Sequence, residues 1–348
     1  MDFSFTPDQL LFQEAVRDLL DKECPPDAVR AAWESDGPGR SEARWARLAE
    51  MGVVGLTTPE AFGGLGMDEL DLVLLLEEAG AVCLPEPLVE TVAVAAPLLA
   101  DLPAGAGAAA AGEWLPRIAA GEAVATVGFE RDVYVSEGAT AELLLLERDG
   151  ALHAVPWADA AVVSQRSVDR ARRIARVEWA PTPDTVLVDG DEARRVLAAA
   201  FDRGVLGVSA MLLGVTRRLL DTTVEYAAAR EQFGQPIGGF QAVKHHLADT
   251  KLKLEFARPL VYRAAWTVAR GGADGGDPVE RATHVSMAKS AAAEAAAFAA
   301  KTALQVHGAI GYTFEYDLHL WMKRAWALAG QWGDAAWHRR RVATALGI

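Results

Sequence analysis

Apolar positions along the chain recur mostly with a helical period. Val205, Val208, Leu212, Val215, Leu219, Thr222 and Tyr226 follow one another at alternating intervals of three and four residues. Val243, Leu247, Thr250, Leu254, Ala257, Val261, Ala264 and Val268 do the same. Such intervals keep a stripe on one side of a helix, so both segments predict seams of a helical bundle. After the glycine-rich 271–278, Asp277-Pro278 signals a new helix over about 278–306, and two more follow at about 315–330 and 334–346. Antiparallel helices with short links predict a four-helix bundle.

Helical patterning also governs the first third. Thr6, Pro7 and Gln9 make a capping-box start. Helices are predicted at 26–34, 41–51, 68–81 and 86–100, with Asp68 as a cap after the glycine-rich "PEAFGGLGM". The low-complexity "PAGAGAAAAGEW" (103–114) reads as a loop or weak helix. In between, the period changes. "EAVATVGFER", "ELLLLE", "ALHAVPW", "IARVEWA" and "DTVLVDG" are short apolar or alternating runs, and "ERDGAL" (147–152) is a hairpin signal. The expected organisation is a helical domain over 1–120, a small β-domain, barrel or sandwich, over 121–190, and the bundle over 191–348. The fold class is mostly α with a small β-domain.

Composition narrows the partners. A formal charge of −14 argues against nucleic acid or an anionic membrane surface as a general partner, while leaving room for a local anion pocket built from arginines. Two distant cysteines, Cys24 and Cys83, suggest a reducing compartment without a disulfide framework. The acidic N-terminus lacks a signal-peptide start, and no long apolar run is free of charge or glycine. A cytoplasmic protein is expected.

Familiar catalytic and metal motifs are missing, and "GGLG" at 63–66 does not follow a strand, so it is no dinucleotide fingerprint. His245 and His246 begin a helix, where solvated or capping roles are the default. Two interruptions carry more. "AREQFGQPIGGFQAVKHH" (229–246) and "QVHGAIGYTFEYDLHLWMKRA" (305–325) each place glycines at a helix junction, where backbone N–H groups open towards a phosphate. Arg230, Gln232 and Phe233 accompany the first, and Gln305, His307 and Tyr312 the second. Such side chains suit an anion or a flat ring. The plain alternative is two helix–helix turns with ordinary packing.

Together the two stretches resemble the acyl-CoA dehydrogenase family. The first is similar to its "R-x-Q-F-G-x-x-I-x-x-F-Q", with Arg230, Gln232, Phe233, Gly234, Ile237, Phe240 and Gln241. The second is similar to "Q-x-H-G-G-x-G-[FY]-x-x-E", with Gln305, His307, Gly308, Gly311, Tyr312 and Glu315. The resemblance spans nearly the whole chain and implies an FAD flavoprotein. In that family a glutamate removes the α-proton of an acyl-CoA thioester, and the β-hydride passes to the flavin. It implies an acyl-CoA substrate, an electron-transfer flavoprotein as acceptor, and a homo- or hetero-oligomer, usually a tetramer. By the same resemblance, Arg230, Gln232, Phe233, Gln305, Gly308 and Ala309 would hold the ADP end of an FAD belonging to a neighbouring subunit. "AAFDRG" (199–204) resembles a segment near CoA, which nominates Phe201 and Asp202 for substrate binding. Their plain alternatives are a packed aromatic and a solvated helix face.

The chain departs from the family pattern in three places. Counting from Arg324, the usual glutamate position is Gly333, and Asp334 beside it is either a substitute base or a helix cap. The position used by some branched-chain members is Arg270; Glu255 precedes it by roughly 22 Å of helix at 1.5 Å per residue. The flavin-ring loop "T-E-P-G-x-G-S-D" is replaced by "ATVGFERDVYVSEG" (125–138), where Glu130 and Asp132 read as solvated turn charges. Two main functions follow from the resemblance, beside a third, another flavin chemistry on the same fold such as an oxidase or oxygenase. One is an FAD-dependent acyl-CoA dehydrogenase in fatty acid or steroid catabolism, with Asp334 or another group as base. The other is a non-catalytic partner subunit that completes the FAD site of a catalytic paralogue.

Overall fold

Thr6 accepts from the Gln9 N–H at 3.2 Å, and the Gln9 side chain accepts from the Thr6 N–H at 2.9 Å, so helix α1 (Pro7–Glu23) starts with a complete capping box. The computed structural model describes residues 4–271 and 276–348. Helices α2 (Pro26–Glu34), α3 (Glu42–Glu50) and α4 (Glu69–Ala81) follow close to the predicted positions. The expected single helix at 86–100 has two windings. Leu88–Ala95 is π-helical and continues into α5 (Ala96–Ala100). The Thr57 hydroxyl donates to the Val92 carbonyl at 2.6 Å, while the Ala96 N–H bonds Thr91 one residue further back than an α-turn would.

Of the two readings of 103–114, the helical one holds from Ala106, and the loop reading is limited to the residues before it. Helix α6 (Ala106–Ala119) is regular and buries Gly107, Ala110, Ala111, Leu115 and Ile118. Alanine has the best helix propensity, and small residues let α6 lie close to its neighbours.

Two sheets lie between the helical parts. One has the order β1 (Ala125–Gly128), β3 (Leu143–Arg148), β4 (Ala151–Pro156), β7 (Val186–Asp189); β1 and β3 are parallel and the other pairs antiparallel. The second orders β2 (Val135–Ser136), β6 (Ile174–Glu178) and β5 (Ala161–Gln165). The β3–β4 hairpin turns on Asp149 and Gly150, both with positive φ (51° and 76°), as its Asp-Gly pair requires. β2 and β5 escaped the pattern because one is two residues long and the other lies mostly exposed.

The C-terminal helices are α7 (Gly190–Ala229), α8 (Gln241–Gly271), α9 (Pro278–His307), α10 (Leu318–Gly330) and α11 (Ala335–Ala345). The loop predicted over 271–278 lies partly outside the described residues; at its end Asp277 caps α9 by accepting from Val279 N at 2.8 Å. Both predicted seams are buried, except that Thr222, Tyr226, Val243 and Leu247 are half-exposed where α7 and α8 approach their link. Helix α7 is long and apolar enough to cross a membrane, but 83% of its apolar window is buried inside the protein.

Helices α4 and α7 cross through reciprocal glycines. A Cβ on Gly80 would stand 2.1 Å from the Met211 carbonyl oxygen, and one on Gly214 would stand 1.8 Å from that of Glu77. Beside this crossing, Glu78 pairs with Arg17 of α1 (2.8 Å), while Tyr262 of α8 donates to Glu77 at 2.9 Å. Farther along, Arg324 of α10 pairs with buried Asp169 of the β5–β6 connection, which also accepts from Trp33 Nε1 of α2 at 3.0 Å.

Candidate functional site

The stretch 125–138 leads from β1 through Phe129 and Tyr134 into β2. With the end of α10 and the turn into α11, it encloses a cavity of ≈ 300 Å³ lined by Gly128, Phe129, Tyr134, Ser136, Gln331 and Trp332, among others. Trp332 adopts φ 58° and lies on Gly204 of α7, where a Cβ would stand 2.6 Å from its indole. It packs edge-on against Phe129 at 5.5 Å and tilted against Phe201 at 5.8 Å. Phe201 is packed among these rings, and the Arg131 guanidinium covers its face at 4.0 Å. The indole N–H of Trp332 is buried without an acceptor among the described residues.

Ser136 and Gln331 along this cleft are already engaged. Ser136 Oγ accepts from Gln331 at 3.0 Å and from Arg172 at 3.1 Å, and Gln331 also donates to Glu90 at 2.9 Å. Next to it Glu137 holds φ 56° and bonds Thr140 Oγ1 (2.9 Å) and Arg173 N (3.2 Å). Burial, followed by the nearby Glu90 carboxylate, raises the Glu137 carboxyl to about 7. Sequence reasoning missed Glu90, Glu137, Arg172 and Gln331. They lie on four separate segments and belong to no local motif.

At the position where the family pattern places its glutamate, Gly333 has φ 92°. A Cβ there would stand 2.8 Å from the Trp337 ring and 3.0 Å from His338 Nε2, so the fold leaves no room for a side chain. Lys289 of α9, fully buried, donates to the carbonyls of Gly333 (2.7 Å) and Ala329 (2.9 Å). Burial pulls its ammonium down to about 7. His338 bridges Ser286 Oγ (3.0 Å) and the Trp332 carbonyl (2.8 Å), and burial pushes its imidazole down to about 4.

Asp334 is exposed and caps α11, accepting from Trp337 N at 2.7 Å; that bond holds its carboxyl below the usual range. Arg270 stands at the alternative base position with its guanidinium 4.8 Å over Trp266. Glu255 lies on α8, paired with Lys251 and Arg258 (both 2.8 Å). Glu130 and Asp132 are exposed turn charges. Asp202 is not on a solvated helix face. It is fully buried and pairs with Arg281 of α9 (2.9 Å) and Arg341 of α11 (2.8 Å), joining three helices. A hydrophobic stripe reads as packing, but a buried ion pair across three helices leaves no local trace.

The two glycine-rich interruptions sit at the opposite end of α7. Past Arg230 the chain forms a hairpin from β8 (Glu231–Gln232) to β9 (Gln235–Pro236). Its tip, Phe233 and Gly234, has positive φ at both residues (53° and 78°), and Phe233 is 93% exposed. Arg230 is exposed, and no carboxylate pairs with it among the described residues. The Gln232 amide folds back onto the Glu231 carbonyl at 2.6 Å. At the end of α9, Gly308 turns with φ 63°, and Gln305, Gly308 and Ala309 are all exposed. The bases of the two interruptions meet where Tyr226 stacks on His307 at 4.2 Å. His245 and His246 are exposed on α8, as their default reading expects.

Residues 6–122 match the acyl-CoA dehydrogenase N-terminal domain, and residues 194–347 match the acyl-CoA dehydrogenase C-terminal domain. Over 320 residues the chain is 33% identical to the acyl-CoA dehydrogenase IpdE2 of Mycobacterium tuberculosis, covering 90% of each chain. The chain belongs to the acyl-CoA dehydrogenase family. It is also 37% identical over 314 residues to FadE34 of the same organism, covering 87% of this chain and 42% of that one. Among solved structures, the ChsE4-ChsE5 complex of Mycobacterium tuberculosis superposes with a TM-score of 0.87 at 26% identity, over 100% of this chain and 99% of that one. Butyryl-CoA dehydrogenase of Megasphaera elsdenii shares the fold, with a TM-score of 0.85 at 21% identity over 100% of both chains. FAD is the typical cofactor of acyl-CoA dehydrogenases, and the three-part fold is theirs.

For this acyl-CoA dehydrogenase family chain the two halves of a flavin site differ. The residues nominated for the ADP end would suit such a group: a guanidinium with no carboxylate partner among the described residues, an exposed ring and open left-handed turns. The cleft beside Trp332 and Phe129 would offer a flavin ring few free polar partners, since the Ser136 hydroxyl is committed to Gln331 and Arg172.

Proposed function

We propose that this chain is a partner subunit in an acyl-CoA dehydrogenase hetero-oligomer. It completes the FAD site of a catalytic paralogue by lending that paralogue's cofactor its ADP clamp. Gly333 carries the reading: the base position is glycine, left-handed, and closed to any side chain by Trp337 and His338. The exposed Arg230, Gln232, Phe233, Gln305, Gly308 and Ala309 support it, because they face outward from the bundle rather than into the chain's own cleft. A matching solved structure is described as a complex of two named proteins, which agrees with a hetero-oligomer. The catalytic paralogue would bind the acyl-CoA and pass electrons to an electron-transfer flavoprotein, and a tetramer is the expected assembly. Phe201 and Asp202 then serve packing, and Asp334 serves as a cap.

The test is a flavin spectrum of the chain purified alone and with a family paralogue from an adjacent gene. Flavin only in the co-purified complex is expected. Full flavin occupancy and bleaching by an acyl-CoA in this chain alone would overturn the proposal in favour of a self-sufficient dehydrogenase. If that occurs, loss of turnover in Asp334→Asn would identify Asp334 as its base.

A further inference from the structure

A second cavity, of ≈ 1100 Å³, is lined by none of the residues nominated for the clamp. It opens between the loop after α2, the turn before β3, the β5–β6 connection and Lys323 of α10. Its wall gathers Arg40, Arg166, Arg170, Arg172, Arg173 and Lys323, on a chain whose formal charge is −14. Two of these arginines have structural duties. Arg173 bonds the carbonyls of Ala32 (2.9 Å), Ser35 (3.0 Å), Gly37 (2.9 Å) and Arg170, and so closes the end of α2. Arg40 bonds the Thr140 carbonyl (3.2 Å) and Glu142 (3.4 Å).

The other four lack a carboxylate partner among the described residues. Arg166 and Arg170 are exposed and make no side-chain hydrogen bond there. Lys323 touches only the ring faces of Trp33 (4.9 Å) and Phe314 (4.6 Å). Arg172 donates to the Ser136 hydroxyl alone, and it lines the cleft beside Trp332 as well as this cavity. Burial, followed by the nearby Arg170 charge, holds Lys323 below the usual lysine range. The acids on the wall are Glu34, Asp36 and Glu142, of which Glu142 is taken by Arg40. Arg166, Arg170 and Lys323 stand together with no carboxylate in ion-pair contact among the described residues, whereas Arg172 has Glu90 nearby; a multivalent anion relieves the repulsion among these cations.

We infer that this cavity is a binding site for a small diphosphate-bearing anion. Guanidinium groups match phosphate oxygens two at a time, whereas a single carboxylate would neutralise only one of the four cations. The volume admits a nucleotide as well as free pyrophosphate, and the diphosphate is the shared chemistry. The site stands whether or not the chain is a partner subunit, since it shares no residue with the clamp.

Calorimetric titration of the full chain with inorganic pyrophosphate and with ADP tests it. Pyrophosphate binding that weakens steeply with salt is expected, and a larger affinity for ADP would mark the nucleotide as the natural source. The exposed pair Arg166→Ala and Arg170→Ala together should weaken both ligands roughly tenfold or more, tenfold being about 1.4 kcal/mol. Because ADP could also sit on the clamp, Arg230→Ala serves as the locating control. Loss of binding in Arg230→Ala with none in the double variant would overturn the inference. So would no binding of either probe, or binding of an acidic peptide in their place.

Discussion

The Lys289 ammonium sits 2.7 Å from the carbonyl oxygen of Gly333, and through it α9 holds the turn that carries Trp332. The same ammonium closes the last turn of α10 at Ala329. Hydrogen bonds from a charged donor contribute about 1.5–3 kcal/mol each, partly offset here by the cost of burying the charge. Lys289→Met should lower stability by about 2 kcal/mol, read as a lower urea midpoint. Hydrogen exchange at 329–334 should quicken more than in α4. Uniform exchange across the chain would show that Lys289 does not hold this turn.

On the proposed reading, Gly333 occupies the base position and resists a side chain. Gly333→Ala should cost about 1–3 kcal/mol, from a left-handed backbone and from contact with Trp337 and His338. Gly333→Glu should be less stable still, without gaining acyl-CoA bleaching in the complex. A folded Gly333→Glu protein that bleaches flavin would show that the site needs only its carboxylate.

Two buried groups make stability depend on pH in opposite senses. His338 is near 4 when folded against 6.5 when free, so the unfolded chain binds the extra proton between those values. Stability therefore falls as pH drops from 6.5 towards 4. Glu137 is near 7 folded against 4.5 free, so its contribution is full below 4.5 and is lost as pH rises towards 7. His338→Gln should leave stability falling with rising pH across 4.5–7, and Glu137→Gln should leave it rising. Urea midpoints measured at several pH values check both signs; the same slope in both variants would refute the assignment.

Phe233 has almost no contacts to lose within the chain. Phe233→Ala should change the stability of the isolated protein by less than about 0.5 kcal/mol. In the hetero-oligomer it should still lower flavin retention severalfold, measured by gel filtration with absorbance at the flavin band. Unchanged retention would remove Phe233 from the clamp.

The helical parts were legible because their information is periodic and local. Thr6, Asp68 and Asp277 cap where their sequence context says they should, and Asp149-Gly150 turns the predicted hairpin. The two turns at 230–240 and 305–312 were legible for a similar reason, since each is one continuous motif; their role as a clamp belongs to the proposal. The cleft was not. Glu90, Ser136, Arg172 and Gln331 meet only after three layers pack, and Asp202 reads as a surface charge until Arg281 and Arg341 reach it from α9 and α11. The helix at 106–119 was hidden by composition, because alanine and glycine do not mark which face is covered.

The crossing at Gly80 and Gly214 also constrains the order in which the molecule can form. Helix α7 emerges last among these parts during synthesis, yet one side of it is covered by α4, made more than a hundred residues earlier. The N-terminal third must stay unpaired on that side until the strands are complete and α7 arrives. Such a long-range closure makes folding slow, and it leaves the apolar α4 stretch open to aggregation while the chain is being made. Low temperature or chaperone assistance during expression should therefore raise the soluble yield more than any surface substitution.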